Sequence, residues 1–126
     1  MSCAAALATI KLLKDSLIKN AATVGDHLMA GLKDLQKRHP LIGDVRGKGL
    51  MIGIELVRDR KTKERATTER DTIVDRMFAK GVLVLGAGRN AIRLSPPLVL
   101  TKDQANACIK ALDEAIGEVE RERGLA

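Results

Sequence analysis

At 126 residues, 45% apolar and 30% charged, the chain is long enough for one domain with a modest core and too rich in apolar residues to be disordered. Phe78 is the one aromatic residue, which excludes stacking on exposed rings as a way to hold single-stranded nucleic acid. The net charge of +6 invites a polyanion, but most of the local excess falls between Arg58 and Arg65, where Asp59 and Glu64 interrupt it, so no nucleic-acid partner is expected.

Without a signal peptide or an apolar run of membrane-crossing length, the sequence predicts no membrane partner and, by default, a cytoplasmic location. Cys3 and Cys108 lie far apart on helical patterns with small or apolar neighbours. They are expected to be buried free thiols in a reducing compartment, and no metal-ligand spacing accompanies them.

The chain opens on a predicted helix from Ser2 to Lys19, with Leu7, Ile10, Leu13, Leu17 and Ile18 in a dense apolar stripe. It is apolar from Cys3 onward, with nothing before it to pack against, which predicts either self-association or a missing partner. A second helix is predicted from Asn20 to Lys37, capped by Asn20, with Val24, Leu28, Leu32 and Leu35 facing the core. Gly25 and Gly31 each weaken it by about 1 kcal/mol relative to alanine unless close packing needs them. His39-Pro40 ends the helix. Apart from Asp26 beside His27, neither His27 nor His39 has an acid or thiol within four positions, so both are read as surface or satisfied structural residues and neither as a base.

Ile42 and Val45 predict a short strand, and Leu50 to Val57 a buried strand apolar on both faces for most of its length. Gly47-Lys48-Gly49 is a tight connection, but phosphate-binding glycine loops run directly into a helix and this one runs into a strand, so Lys48 receives no role. Gly53 predicts a bulge or the close approach of another backbone. Glu55 is expected to pair with a neighbouring arginine, with Arg46 and Arg93 as the candidates. The run from Arg58 to Arg65 reads as a solvated loop. Thr68 then predicts a capped helix from Glu69 to Lys80, with Ile73, Val74, Met77 and Phe78 on one face and Gly81 as its stop.

Val82 to Leu85 and Ala91 to Leu94 read as two strands joined by Gly-Ala-Gly-Arg-Asn and stopped by Pro96 and Pro97. Arg93 sits between Ile92 and Leu94, so the period of two turns its guanidinium to the face opposite those side chains. Its rigid fork of donors suits a carboxylate, which makes it the candidate anchor for an acidic ligand; a structural ion pair or a solvated edge is the alternative. Thr101 and Gln104 form a capping-box pattern at the start of a last helix, whose stripe is Ala105, Cys108, Ile109, Leu112, Ile116 and Val119. Its charged end, Glu118 to Arg123, is expected to fray in solvent. The element order is helix, helix, strand, strand, helix, strand, strand, helix. It predicts an α+β fold with a small, mainly antiparallel sheet covered on one face by helices.

Three blocks occur in a recognisable order: Ser2-Cys3-Ala4-Ala5-Ala6-Leu7-Ala8, then Val45-Arg46-Gly47-Lys48-Gly49-Leu50-Met51-Ile52-Gly53-Ile54-Glu55-Leu56, then Ala91-Ile92-Arg93-Leu94-Ser95-Pro96-Pro97-Leu98. Together they resemble the C-terminal segment of class III, fold-type I aminotransferases, which depend on pyridoxal phosphate. The Gly-Ala-Gly turn and the Ile-Arg-Leu-Ser-Pro-Pro form are most similar to the 4-aminobutyrate aminotransferase group. The resemblance implies that residues 1–19 form the helix linking a large and a small domain, that residues 20–126 form the C-terminal small domain, and that the large cofactor-binding domain is absent from this sequence. It matches Arg93 to the arginine that faces the active-site cleft, where it binds a substrate carboxylate or is held by a glutamate of the large domain. It assigns no catalytic, cofactor-binding or metal-binding residue here, because the Schiff-base lysine and the cofactor's other partners belong to the large domain. Pyridoxal phosphate is then the cofactor of the full enzyme and is not expected to bind this chain stably. The implied function is a share in amino-group transfer from an omega-amino acid to a 2-oxo acid, the chain alone being inactive and its partner a large domain or upstream polypeptide. The alternative is a stand-alone, non-catalytic binding or self-association module, a homo-oligomer through the first helix.

Overall fold

The computed structural model describes residues 1–124. Its N-terminal third is one unbroken helical run: α1 (Ser2–Leu12), a π-helical segment (Leu13–Leu17) and α2 (Ile18–Arg38). The break expected between Lys19 and Asn20 is not there, because neither residue stops a helix and the chain instead absorbs one wide turn, with the Ile18 N–H bonding the Leu13 carbonyl. Asn20 is therefore no N-cap. Its side-chain amide reaches across to the Leu98 and Leu100 carbonyls at 2.7 and 3.1 Å, fastening the segment after Pro97 to the helix. None of the residues of α1 is buried, whereas α2 buries Val24, Leu28, Leu32 and Leu35 as the spacing predicts.

The sheet is wholly antiparallel, with β1 (Ile42–Lys48), β2 (Met51–Asp59), β4 (Leu85–Ala87) and β5 (Ala91–Leu94) in the order β1-β2-β5-β4, and the two-residue β3 (Glu64–Arg65) pairing β2. Helices α2, α3 (Thr67–Ala79) and α4 (Lys102–Arg123) pack over one face, with α4 touching both of the others. The α+β architecture is thus as expected. β2 is not buried on both sides, however: Ile52, Ile54 and Leu56 face the helices, while Met51 and Glu55 face away and only Val57 departs from the alternation. The apolar run at Leu50–Val57 looked two-faced because Met51 and Gly53 are apolar residues on the open side.

Several local expectations change with the structure. The first of the two strands after Gly81 is only Leu85–Ala87, since Val82 to Val84 pair with no neighbouring strand. α3 begins at Thr67 after Ala66, without a side-chain cap from Thr68, and its Phe78 is 70% exposed instead of joining Ile73 and Met77 in the core. The basic run from Arg58 is part of β2 and of a tight hairpin, in which Asp59 accepts from the Lys61 and Thr62 amides at 2.7 and 2.6 Å. Arg60 turns back to donate to the carbonyls of Gln36 and His39 at the end of α2 and of Ile42 at the start of β1. Gly53 marks neither a bulge nor a close approach. The register shift lies between Ile42 and Asp44, and a Cβ added at Gly53 would meet nothing nearer than the Arg46 carbonyl oxygen at 4.0 Å. Gly25 and Gly31 do answer to packing, against the Gly49 backbone and the Ile109 side chain respectively.

The end of α4 is anchored. Val119 and Glu120 are buried, and Glu120 accepts the Leu41 N–H at 3.0 Å while facing Nδ1 of His39 at 2.6 Å. The other ring nitrogen of His39 faces Asp113 at 2.7 Å, so the histidine that looked isolated in sequence is held between two acids of α4. His27 meets Asn106 at 2.7 Å, also a structural contact. Of the two thiols, Cys3 is exposed and Cys108 half-buried, both free; Cys3 escapes burial because α1 has nothing against it.

Two consequences are measurable. Glu120→Ala leaves a buried N–H and a buried imidazole without their acceptor and is expected to lower stability by about 3 kcal/mol, whereas Glu122→Ala, on an exposed pair, costs less than about 1 kcal/mol; urea midpoints compared at equal slope test this. Burial by itself raises the Asp113 carboxyl, but hydrogen bonds from His39 and Arg38 outweigh it and hold the group below its ordinary value. A depressed carboxylate adds stability above its unfolded value, about 4 for aspartate, and loses it as pH falls further. Asp113→Asn should therefore flatten the acid limb of a urea-midpoint against pH curve.

Candidate functional site

The helix-free face of the sheet carries the candidate site. Strand pairing aligns Arg46, Gly53, Arg93 and Leu85 in one row across β1, β2, β5 and β4, and Asp44, Glu55, Ala91 and Ala87 in the next. Residues directly opposite on antiparallel strands share a face, so every side chain of these two rows points away from the helices. Arg93 sits in the middle of the first, exposed, between buried Ile92 and Leu94, as its spacing requires.

Arg46 and Arg93 differ in their bonds. One nitrogen of Arg46 bonds Asp44 at 2.8 Å and Glu55 at 2.7 Å, which settles the first choice that sequence left open for Glu55. Those bonds, Asp44's first, push the Arg46 guanidinium above its ordinary value. Arg93 has no hydrogen bond or ion pair with any described residue. It is a cation with its donors free, on a strand fixed on both sides by β2 and β4. The structural ion pair weighed as its alternative is absent from these contacts.

Two hollows flank the chain that follows β5. One, of about 410 Å³, is lined by Val84, Leu85, Leu94, Pro96 and Cys108 and borders Arg93. The other, of about 510 Å³, lies between α2 and the β1–β2 turn and is lined by Asp26, Lys48, Met51, Ser95 and Leu98. Ser95 and Pro96 line both, so the segment stopped by the prolines forms the ridge between them. Burial pushes the Cys108 thiol up, which keeps it protonated and poorly nucleophilic. Among the described residues no cluster of metal-ligating side chains occurs, and no helix is long and apolar enough to cross a membrane.

Sequence reasoning placed Arg93 on the correct face but missed its setting. Gly53 and the exposed Leu85 stand directly opposite it on either side, with Ala87 and Ala91 in the next row, and only the strand register, which sequence did not supply, brings these residues together. Nor did spacing foretell that Ser95 and Pro96 separate two hollows.

The chain is similar to known proteins over nearly its whole length. Residues 1–116 match the family described as aminotransferase class-III. It is 43% identical over 122 residues to the mitochondrial alanine–glyoxylate aminotransferase 2 homolog 2 of Arabidopsis thaliana, covering 94% of this chain and 26% of that protein. A leucine/methionine racemase of Thermococcus litoralis is 42% identical over 120 residues, covering 94% of this chain and 27% of the racemase. Among solved structures, an amine transaminase from an uncultivated Pseudomonas species, with PLP bound, superposes with a TM-score of 0.85 at 41% identity over 93% of this chain and 27% of that one. The chain spans about a quarter of the length of each of these relatives.

Because Arg93 is exposed and makes none of the bonds that hold the sheet, Arg93→Ala is expected to change folding stability by less than about 0.5 kcal/mol. A thermal melt of the variant beside the parent chain checks this.

Proposed function

Since this chain belongs to the class-III aminotransferases, a pyridoxal-phosphate-dependent family, we propose that it is the C-terminal small domain of such an enzyme and that Arg93 binds the carboxylate of its substrate. The observation that carries this reading is an exposed guanidinium with unused donors on a strand whose other contacts hold it rigid. A guanidinium takes a carboxylate through two parallel bonds, which orients the ligand as well as holding it. The partner is a large-domain polypeptide, docked so that the helix-free face forms one wall of a cleft. Helix α1, with no buried residue, is the link to that domain. The reaction is amino-group transfer from an omega-amino acid to a 2-oxo acid, of the 4-aminobutyrate type. Similarity to a racemase as well as to aminotransferases makes racemisation of an amino acid the second reading.

The cofactor's chemistry needs a lysine, an acid for the ring nitrogen and a phosphate cradle, and this reading assigns that set to the large-domain polypeptide. Lys80 is committed to Glu114 and Glu118. The start of α4 is closed by its own Thr101 and Gln104, which bond each other's backbone amides. Lys48 shares a hollow with Asp26, but no helix N-terminus opens into it. This chain's part is to bind and orient the substrate.

The test is reconstitution with a large-domain polypeptide of the family. Arg93→Ala should raise KM for a carboxylate-bearing amino donor by about 10- to 100-fold, the loss of one charge-assisted pair, and leave an uncharged amine donor nearly unchanged. Equal losses on both donors would sink the role given to Arg93. Loss of α-proton stereochemistry without amino transfer would favour racemisation. A stable lysine adduct of the chain alone, seen by intact mass after borohydride reduction with pyridoxal phosphate, would overturn the division of labour.

A further inference from the structure

A strand has two hydrogen-bonding sides, and the order β1-β2-β5-β4 leaves one side of β1 and one side of β4 without a neighbouring strand. The two edges differ. β1 carries Asp44, Arg46 and Lys48, and side chains occupy two of its carbonyls, Gln36 donating to Gly43 and Arg60 to Ile42. Charge and occupied backbone groups are what close a sheet edge to further strands. The run Val82-Leu83-Val84-Leu85-Gly86-Ala87 has no charged residue at all. Leu83 and Leu85 are exposed while Val84 is buried, so the alternation of a strand continues beyond the last paired residue. Yet the backbone groups of Leu83 and Val84 have no hydrogen-bond partner among the described residues. Alternating side chains with unmatched backbone describe a strand that lacks its neighbour. Where the pairing stops, the hollow of about 410 Å³ opens beside Val82, Val84, Leu100 and Cys108, with room for apolar side chains of an added segment.

Charge around the edge indicates the occupant. From Arg76 to Lys102 the sequence contains no acid. Arg76 and Lys80 are neutralised by Glu114, Glu118 and Glu122 of α4, whereas Arg89, two residues beyond β4, has no ion pair with any described residue. A second copy laid antiparallel on this edge, with Val82 opposite Ala87, would carry its own Arg89 towards Lys80, cation to cation on a chain already at +6. A segment bearing a carboxylate meets attraction at the same place.

We propose that the edge from Val82 to Ala87 is completed by an extended segment of the large-domain polypeptide, apolar at alternate positions and acidic where it passes Arg89, which lies along β4 as the next strand of the sheet. The inference rests on the small-domain reading for the source of that segment. The unmatched backbone, the hollow and Arg89 define its chemistry. Main-chain bonds hold such a strand, and the side chains entering the hollow select it.

The experiment measures amide exchange of the 15N-labelled chain, alone and mixed with a large-domain polypeptide of the family. Binding should slow exchange between Leu83 and Ala87 by about tenfold or more. Leu83→Pro removes an N–H that bonds nothing in this chain, so the thermal melt should hold while the dissociation constant for the large-domain polypeptide rises about tenfold. Arg89→Glu should weaken binding by about the same factor, and Arg89→Lys by roughly twofold or less. A complex that forms without added protection on this edge overturns the inference and leaves the small-domain reading in place, as does one that takes Leu83→Pro as tightly as the parent chain. Should proline loosen β4, exchange in the parent chain decides alone. Protection that arises in the chain by itself as its mass doubles assigns the edge to a second copy and also overturns the inference. Protection in a reconstituted pair that transfers no amino group keeps the edge and removes the enzymatic reading, and the absence of any complex removes both.

Discussion

The constraint on which this structure depends is the one-sidedness of its sheet. All helices that pack on the sheet lie on one face, so Ile52, Ile54 and Leu56 of β2 and Ile92 and Leu94 of β5 are committed to the core. The period of two then fixes everything that points the other way. A slip of one residue between β2 and β5 would exchange Arg93 for Ile92 in the core, placing an unpaired guanidinium among apolar side chains at several kcal/mol. Core packing and the display of Arg93 are the same fact seen from two sides. Asn90, buried, reinforces it by bonding the Leu56 carbonyl at 2.6 Å while its own carbonyl accepts the Leu56 amide at 2.8 Å, which pins the β4–β5 hairpin to β2.

What could be read from sequence follows from which interactions are local. The stripe of α2, the capping box of α4 and the facing of Arg93 all depend on residues within a few positions of one another, and all are as expected. The failures involve partners distant in sequence. His39 looked unaccompanied because its acids lie 74 and 81 positions away. The end of α4 looked like a fraying tail because nothing nearby reveals that Glu120 has Leu41 to bond. Arg60 read as part of a solvated loop because the carbonyls it serves belong to the end of α2 and the start of β1. Polar residues resist sequence reading more than apolar ones, since a hydrophobic side chain needs only a side of the molecule, whereas a buried carboxylate needs specific donors.

The candidate site shows the same division. Arg93 could be found by residue type and periodicity, and its family resemblance gave it a role to test. The glycine and alanines around it could not, since small residues carry no signal until the strands are set in register. That register also distinguishes two arginines that composition treats alike: Arg46 is held by Asp44 and Glu55, Arg93 by neither at its mapped position. A cation already neutralised by two acids is a poor receptor for a third, and the free one beside it is the better receptor.

The chain has no tryptophan or tyrosine, and Phe78, its single aromatic residue, stands 70% exposed near the end of α3. The core is therefore optically silent in the near ultraviolet. Whatever weak, chirally ordered signal phenylalanine gives reports on the outside of α3 and not on the interior. Melting of the core would pass almost unseen at those wavelengths, while a partner laid over α3 would be the event that the spectrum records. A bound chromophore absorbing in that region would likewise be read against almost no background from the protein.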